Sequence, residues 1–298
     1  MTHVSSTCER LALGEMSFNV RHWGAPDSPP LFMVHGWMDC SITFQFVADR
    51  LASSFHIIAP DLRGYGQSTW LGRPYAFVDH YADLDALLSH YAPHRPVMLA
   101  GHSMGANIAC NYAAARPERV ERLALMDFLG RTPAADIGAS DQLRTWLMAG
   151  AEVPAARPYP DVDAFAARLR KTNPRLDQAR AHFLARHLTV ALEDGRVAMA
   201  CDPWHRLPAP YVYHLEDWYS AWRKLRSPVL LLVADEGEVR AQFGTGDPEY
   251  RRRLACFERL SVVEVSGSGH NIQHDGPERV AAELNAFFSA SRMPNPYG

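Results

Sequence analysis

Along the chain, short apolar runs alternate with longer stretches whose apolar positions recur at helical spacing. The runs Leu31-Phe32-Met33-Val34, His56-Ile57-Ile58-Ala59-Pro60, Pro96-Val97-Met98-Leu99-Ala100, Arg122-Leu123-Ala124-Leu125-Met126-Asp127, Pro228-Val229-Leu230-Leu231-Leu232-Val233 and Val262-Val263-Glu264-Val265 read as strands. Most show no polar alternation, as expected of strands covered on both faces. Residues 41–52 read as a helix capped by Ser41, and residues 79–91 as another with Tyr81, Leu84, Leu87 and Leu88 along one face. Residues 106–115 and the stretch opened by Pro277-Glu278-Arg279-Val280 supply two more helices, and residues 10–24 a hairpin of edge strands. This alternation predicts an α/β fold, a mostly parallel sheet flanked by helices.

Between residues 131 and 215 the pattern turns helical and proline-rich, with Pro208-Ala209-Pro210 and no strand signal. No internal repeat or low-complexity tract interrupts the chain. The expected organisation is a discontinuous core, residues 1–130 and 216–298, with a helical cap inserted at 131–215. The chain has 298 residues, 47% of them hydrophobic, enough for one large core and an elaboration rather than several domains. A formal net charge of -3 offers no electrostatic basis for binding nucleic acid or an anionic membrane. No run approaches membrane-spanning length, and Met1 to Arg10 lack a basic stretch followed by an apolar one, so a soluble, cytoplasmic protein is expected. Five scattered cysteines fit reduced thiols better than a disulfide framework or metal knuckle.

Candidate chemistry centres on Gly101-His102-Ser103-Met104-Gly105, which follows one apolar run and opens a helix. In that strand-turn-helix setting the string is a nucleophile elbow: a strained turn lifts the serine hydroxyl clear of the sheet, and the glycines let neighbouring backbone approach. Three further strings end apolar runs, where an open α/β sheet binds its ligands. They are His35-Gly36-Trp37-Met38, Asp61-Leu62-Arg63-Gly64-Tyr65-Gly66-Gln67-Ser68 and Gly267-Ser268-Gly269-His270-Asn271.

With these four motifs in this order, the chain resembles the α/β-hydrolase family, in its capped serine hydrolase, esterase-like branch. The resemblance implies Ser103 as nucleophile and His270 as its base, with His274 packing nearby. An oxyanion hole would form from the backbone N–H groups of Met104 and Trp37, with His35 and Gly36 setting the loop geometry. The Asp61 loop would be structural. The acid is where the sequence departs from the family: the usual aspartate position, after the strand that follows the cap, is Gly237. Asp127, at the tip of the strand after the elbow helix, is the first choice, Glu236 the second, with Glu238 and Asp235 as further neighbours.

The implied activity is hydrolysis of a small-molecule carboxylic ester through an acyl-enzyme, with no cofactor and no metal. Trp146, Tyr159, Phe165, Phe183, Trp204, Tyr211, Tyr213, Trp218 and Trp222, in the cap segment and its flank, suggest a largely apolar pocket for medium acyl or aromatic groups. Two alternatives stay open: a carbon-carbon bond hydrolase of the same fold, and a non-catalytic ligand-binding member. Oligomeric state is not readable.

Overall fold

The structure, a computed structural model, describes residues 3–131, 137–152, 154–244 and 246–290. In chain order its elements are β1 (Thr7–Leu13), β2 (Met16–Trp23), β3 (Pro30–Val34), α1 (Gln45–Leu51), β4 (His56–Pro60), α2 (Phe77–Tyr91), β5 (Val97–His102), α3 (Met104–Ala115) and β6 (Val120–Met126). There follow α4 (Ala139–Ala149), β7 (Pro158–Tyr159), α5 (Val162–Thr172), α6 (Gln178–His187), β8 (Thr189–Ala191), β9 (Val197–Met199) and α7 (Leu215–Trp222). The chain then continues through β10 (Val229–Glu236), α8 (Glu238–Gln242), α9 (Pro248–Leu254), β11 (Leu260–Gly269), α10 (Ile272–Asp275) and α11 (Pro277–Ser289).

An eight-stranded sheet runs in the order β1-β2-β4-β3-β5-β6-β10-β11. The hairpin β1-β2 joins β4 antiparallel, and from β4 onward every neighbouring pair is parallel. The apolar runs lack alternation because both faces of the sheet are covered. Leu123, Leu125, Val229, Leu231 and Val233 enter one core with Leu84, Ile108 and Trp222, whereas Ala124, Met126, Leu230, Leu232 and Ala234 enter the other with Phe46, Leu51 and Leu284. A period of two therefore sorts one continuous apolar string into two separate cores.

Two expectations need correction. Residues 41–52 are not a serine-capped α-helix: Ser41–Phe44 form a 3-10 turn before α1, and the orphan N–H of Ser41 donates to Asp61 Oδ1 at 2.8 Å. A carboxylate from the neighbouring loop does the capping, which local sequence does not show. The middle segment, expected to lack strands, holds a three-stranded antiparallel sheet ordered β7-β9-β8. Its strands are too short to display a period; the one local signal is Asp194-Gly195 between them, with Gly195 at φ +82, a hairpin turn residue pair. Among the described residues, no helix is long and apolar enough to cross a membrane.

Candidate active site

Ser103 sits between β5 and α3 with φ 51 and ψ -117, a backbone conformation that costs a non-glycine residue about 1–3 kcal/mol. The turn is held because its glycines admit backbone that a side chain would exclude. A Cβ on Gly105 would overlap the carbonyls of Val34 and His35, and one on Gly101 would overlap Gly105 itself. Met38 and Asp127 are the other described non-glycine residues with positive φ, one beside Trp37 and one below His270. Backbone strain is thus gathered around one site, as is common where function constrains geometry.

His270 follows β11 and reaches back over the sheet. Its Nδ1 lies 2.7 Å from Asp127 Oδ2 and its Nε2 lies 2.9 Å from Ser103 Oγ. A carboxylate only accepts, so Nδ1 carries the proton and Nε2 is left to accept from the serine hydroxyl. His102, whose role sequence reasoning missed, supports this loop: its Nε2–H donates to the His270 carbonyl at 2.8 Å. The available signal was a histidine inside the elbow string itself, directly before the nucleophile.

The structure separates the carboxylates weighed from sequence. Asp127 is buried at the tip of β6, where it also accepts from the N–H of Ala234 (3.2 Å) and of Glu238 (2.8 Å). Glu236 pairs with Arg175 at the surface, and Asp235 accepts the N–H groups of Gly267 (2.8 Å) and Ser268 (2.9 Å) in the loop leading to His270. Glu238 approaches the other edge of the imidazole, with Oε1 3.6 Å from Nε2. Gly237 has a steric cause here: a Cβ at that position would overlap both carboxylate oxygens of Asp127. A carboxylate delivered from β6 and a side chain at 237 compete for the same volume.

Trp37 and Met104 both line a cavity of about 470 Å³ that opens on Ser103. Met104 is the first residue of α3, so its N–H has no intrahelical acceptor. The Trp37 loop is pressed against the elbow, and its geometry is set by His35, which accepts from Leu62 N–H at 2.9 Å and donates to the Gly36 carbonyl at 2.8 Å. Trp37 also ties the middle segment down: its indole N–H donates to the His205 carbonyl at 3.1 Å. The His205 ring stacks on Tyr65 and Tyr75, and Tyr75 donates to Asp202 at 2.8 Å. Of the aromatic residues singled out from sequence, Trp146, Trp204, Tyr211, Tyr213 and Trp218 line the cavity. Phe165 and Trp222 are instead buried in the two cores, Tyr159 packs on Phe165 and Phe183 on Phe46.

Burial lowers several histidines around this framework. His35 and His274 are pushed down to about 4, and His80 and His102 also lie well below their ordinary value. His274 packs as expected, paired with Thr43 Oγ1 at 2.7 Å. Because the folded values lie below the unfolded one of about 6.5, the unfolded chain takes up protons first as pH falls. Their contribution to stability is full above pH 6.5 and is lost toward pH 4, by up to about 1.4 kcal/mol per pH unit for each histidine, opposed by Asp39, whose carboxyl burial raises to about 7. Urea midpoints measured from pH 7.5 to 4.5 are expected to fall through this window; a flat profile would show that these rings take up protons as readily in the fold as in the unfolded chain.

The sequence matches a family described as alpha/beta hydrolase fold over residues 29–277. A serine hydrolase-like protein of Danio rerio is 27% identical, covering 96% of this chain and 92% of its own. A haloalkane dehalogenase of Bradyrhizobium diazoefficiens is 34% identical, covering 94% and 93%. Among solved structures, the thioesterase domain from the curacin biosynthetic pathway shares a TM-score of 0.83 at 26% identity, covering 94% of this chain and 99% of that one. These relatives differ in named activity, and the solved thioesterase domain shares the overall architecture described above. With its sheet, elbow and family match running together from β3 to the start of α11, the chain belongs to the α/β-hydrolase family.

Proposed function

We propose that the protein is a serine hydrolase that cleaves carboxylic esters of small to medium, largely apolar acyl or aromatic substrates through an acyl-enzyme. The observation that carries this reading is the unbroken relay from Ser103 Oγ through His270 to Asp127, with contacts of 2.9 and 2.7 Å. A serine hydroxyl is a weak nucleophile unless a base takes its proton, and the base needs an acid to hold its tautomer. Ser103 Oγ attacks the ester carbonyl while Nε2 accepts its proton, and the oxyanion is held by the backbone N–H groups of Trp37 and Met104. Nε2–H then protonates the departing alcohol. Water, deprotonated by the same nitrogen, attacks the acyl-serine and frees the acid and the serine.

No cofactor is required by this cycle. The cap at 131–215 lines the cavity with Trp146, Trp204, Tyr211 and Tyr213, and the volume of about 470 Å³ suits a substrate of medium size. Serine at the elbow also bears on the dehalogenase relative. Displacing halide with a carboxylate leaves an ester that water can open at its carbonyl, whereas displacing it with serine would leave an ether. The test is a fluorophosphonate probe with peptide mapping, beside p-nitrophenyl esters of two to eight carbons and a 1,3-diketone. Labelling at Ser103 and a burst of nitrophenol are expected. Labelling elsewhere, or diketone cleavage faster than every ester, would overturn the assignment.

A further inference from the structure

We infer that Glu238 selects the leaving group, favouring esters whose departing alcohol carries an ammonium or hydroxyl group and disfavouring those whose alcohol carries an anion. This rests on the proposed ester hydrolysis, because the geometry of proton delivery locates the leaving group. The nitrogen that protonates the departing oxygen must lie within hydrogen-bond reach of it, about 2.6–3.2 Å. That nitrogen is His270 Nε2, and Glu238 Oε1 stands 3.6 Å from it. The first substituents on the leaving oxygen therefore pass beside the Glu238 carboxylate.

The carboxylate is held there by its own backbone, whose N–H donates to Asp127 Oδ2 at 2.8 Å. Any substitution at 238 except proline keeps that N–H, so the contact to Asp127 survives replacement of the side chain. Glu238 has no lysine or arginine partner among the described residues: Arg240 pairs with Glu264 and Arg175 with Glu236. Its side chain is 62% exposed and lines the cavity. It is thus a charge open to a substrate, and one screened by water. The opposing cations in the cavity wall are Arg131 and Arg206, which would favour anionic substrates if they governed the leaving-group side.

The test compares four butyrate esters with a common acyl group: propyl, glyceryl, choline and carboxymethyl. Any change in the basicity of His270 acts on all four and cancels in ratios of kcat/KM. Wild-type protein should prefer the choline and glyceryl esters to the carboxymethyl ester. In Glu238→Gln the choline to carboxymethyl ratio should fall by about two- to fivefold, the scale of an exposed ion pair. In Glu238→Lys the order should reverse, and added salt should shrink the wild-type ratio. The inference is overturned if the ratio is the same in all three proteins, or if wild type prefers the carboxymethyl ester, while the fluorophosphonate still labels Ser103; ester hydrolysis then stands without it. Absence of both labelling and turnover in wild type overturns ester hydrolysis itself, and the selection with it.

Discussion

Ser103→Ala is expected to lower ester turnover to background, a loss on the order of a million-fold in kcat, and to abolish fluorophosphonate labelling. The size follows from the covalent step: without Oγ there is no atom to carry the acyl group, and His270 has nothing to deprotonate but water. His270→Ala should cost nearly as much, because the hydroxyl then keeps its proton. The two act in one event, so the double variant should be no slower than either single one. Residual activity in the Ser103→Ala protein would come from the N–H groups of Trp37 and Met104 and from substrate binding alone. The measurement is single-turnover and steady-state hydrolysis of p-nitrophenyl butyrate. Full activity in either single variant would remove both residues from the chemistry.

Asp127→Asn is expected to lower kcat by about four orders of magnitude while leaving KM within a few-fold. An amide facing His270 Nδ1 can present its NH₂, which forces the ring proton onto Nε2 and leaves the serine hydroxyl without an acceptor. Asparagine also suits the backbone, since Asp127 has a φ of 48 and asparagine tolerates the left-handed region. Asparagine has one acceptor oxygen where Asp127 has two, so the Ala234 or Glu238 N–H also loses its acceptor, and urea midpoints measured alongside separate that cost from the lost charge. Glu236→Gln should stay near wild type, because the Glu236 side chain pairs with Arg175 and not with the His270 ring. A side chain at 237 is excluded twice, by the Asp127 carboxylate and by the Ala234 Cβ, so Gly237→Asp is expected to lower the urea midpoint even beside Asp127→Gly. Near-normal turnover in Asp127→Asn with collapse in Glu236→Gln would show that the acid comes from the β10 loop.

Much of this site was legible because its signals are local. The elbow is five consecutive residues spanning the end of β5 and the start of α3, and the His270 string is a short glycine-rich run that ends β11 and leads into α10. Backbone strain, close approach and helix start are properties of such windows, so residue type and spacing report them directly. The sheet interior was legible for a similar reason, burial on both faces leaving uninterrupted apolar runs. The cap of the 41–52 segment was not, because Asp61 reaches it from another strand end. The small sheet of β7, β8 and β9 escaped because strands of two or three residues carry no period.

By itself, the sequence determined an α/β chain with serine and histidine at the ends of two strands, and a glycine where the family resemblance implies an aspartate. It left several carboxylates open, since Asp127 and Gly237 lie 110 positions apart and nothing local relates them. The tertiary structure decided which carboxylate meets His270. β6 and β10 are adjacent in the sheet, with Met126 in register with Leu232, so the residue beyond β6 enters the space beside Gly237. Strand order is a property of the closed sheet, set by which faces bury together, and it places one carboxylate under the imidazole and another beside it. Two side chains cannot fill one volume, and the Asp127 carboxylate together with the Ala234 Cβ excludes a side chain at 237.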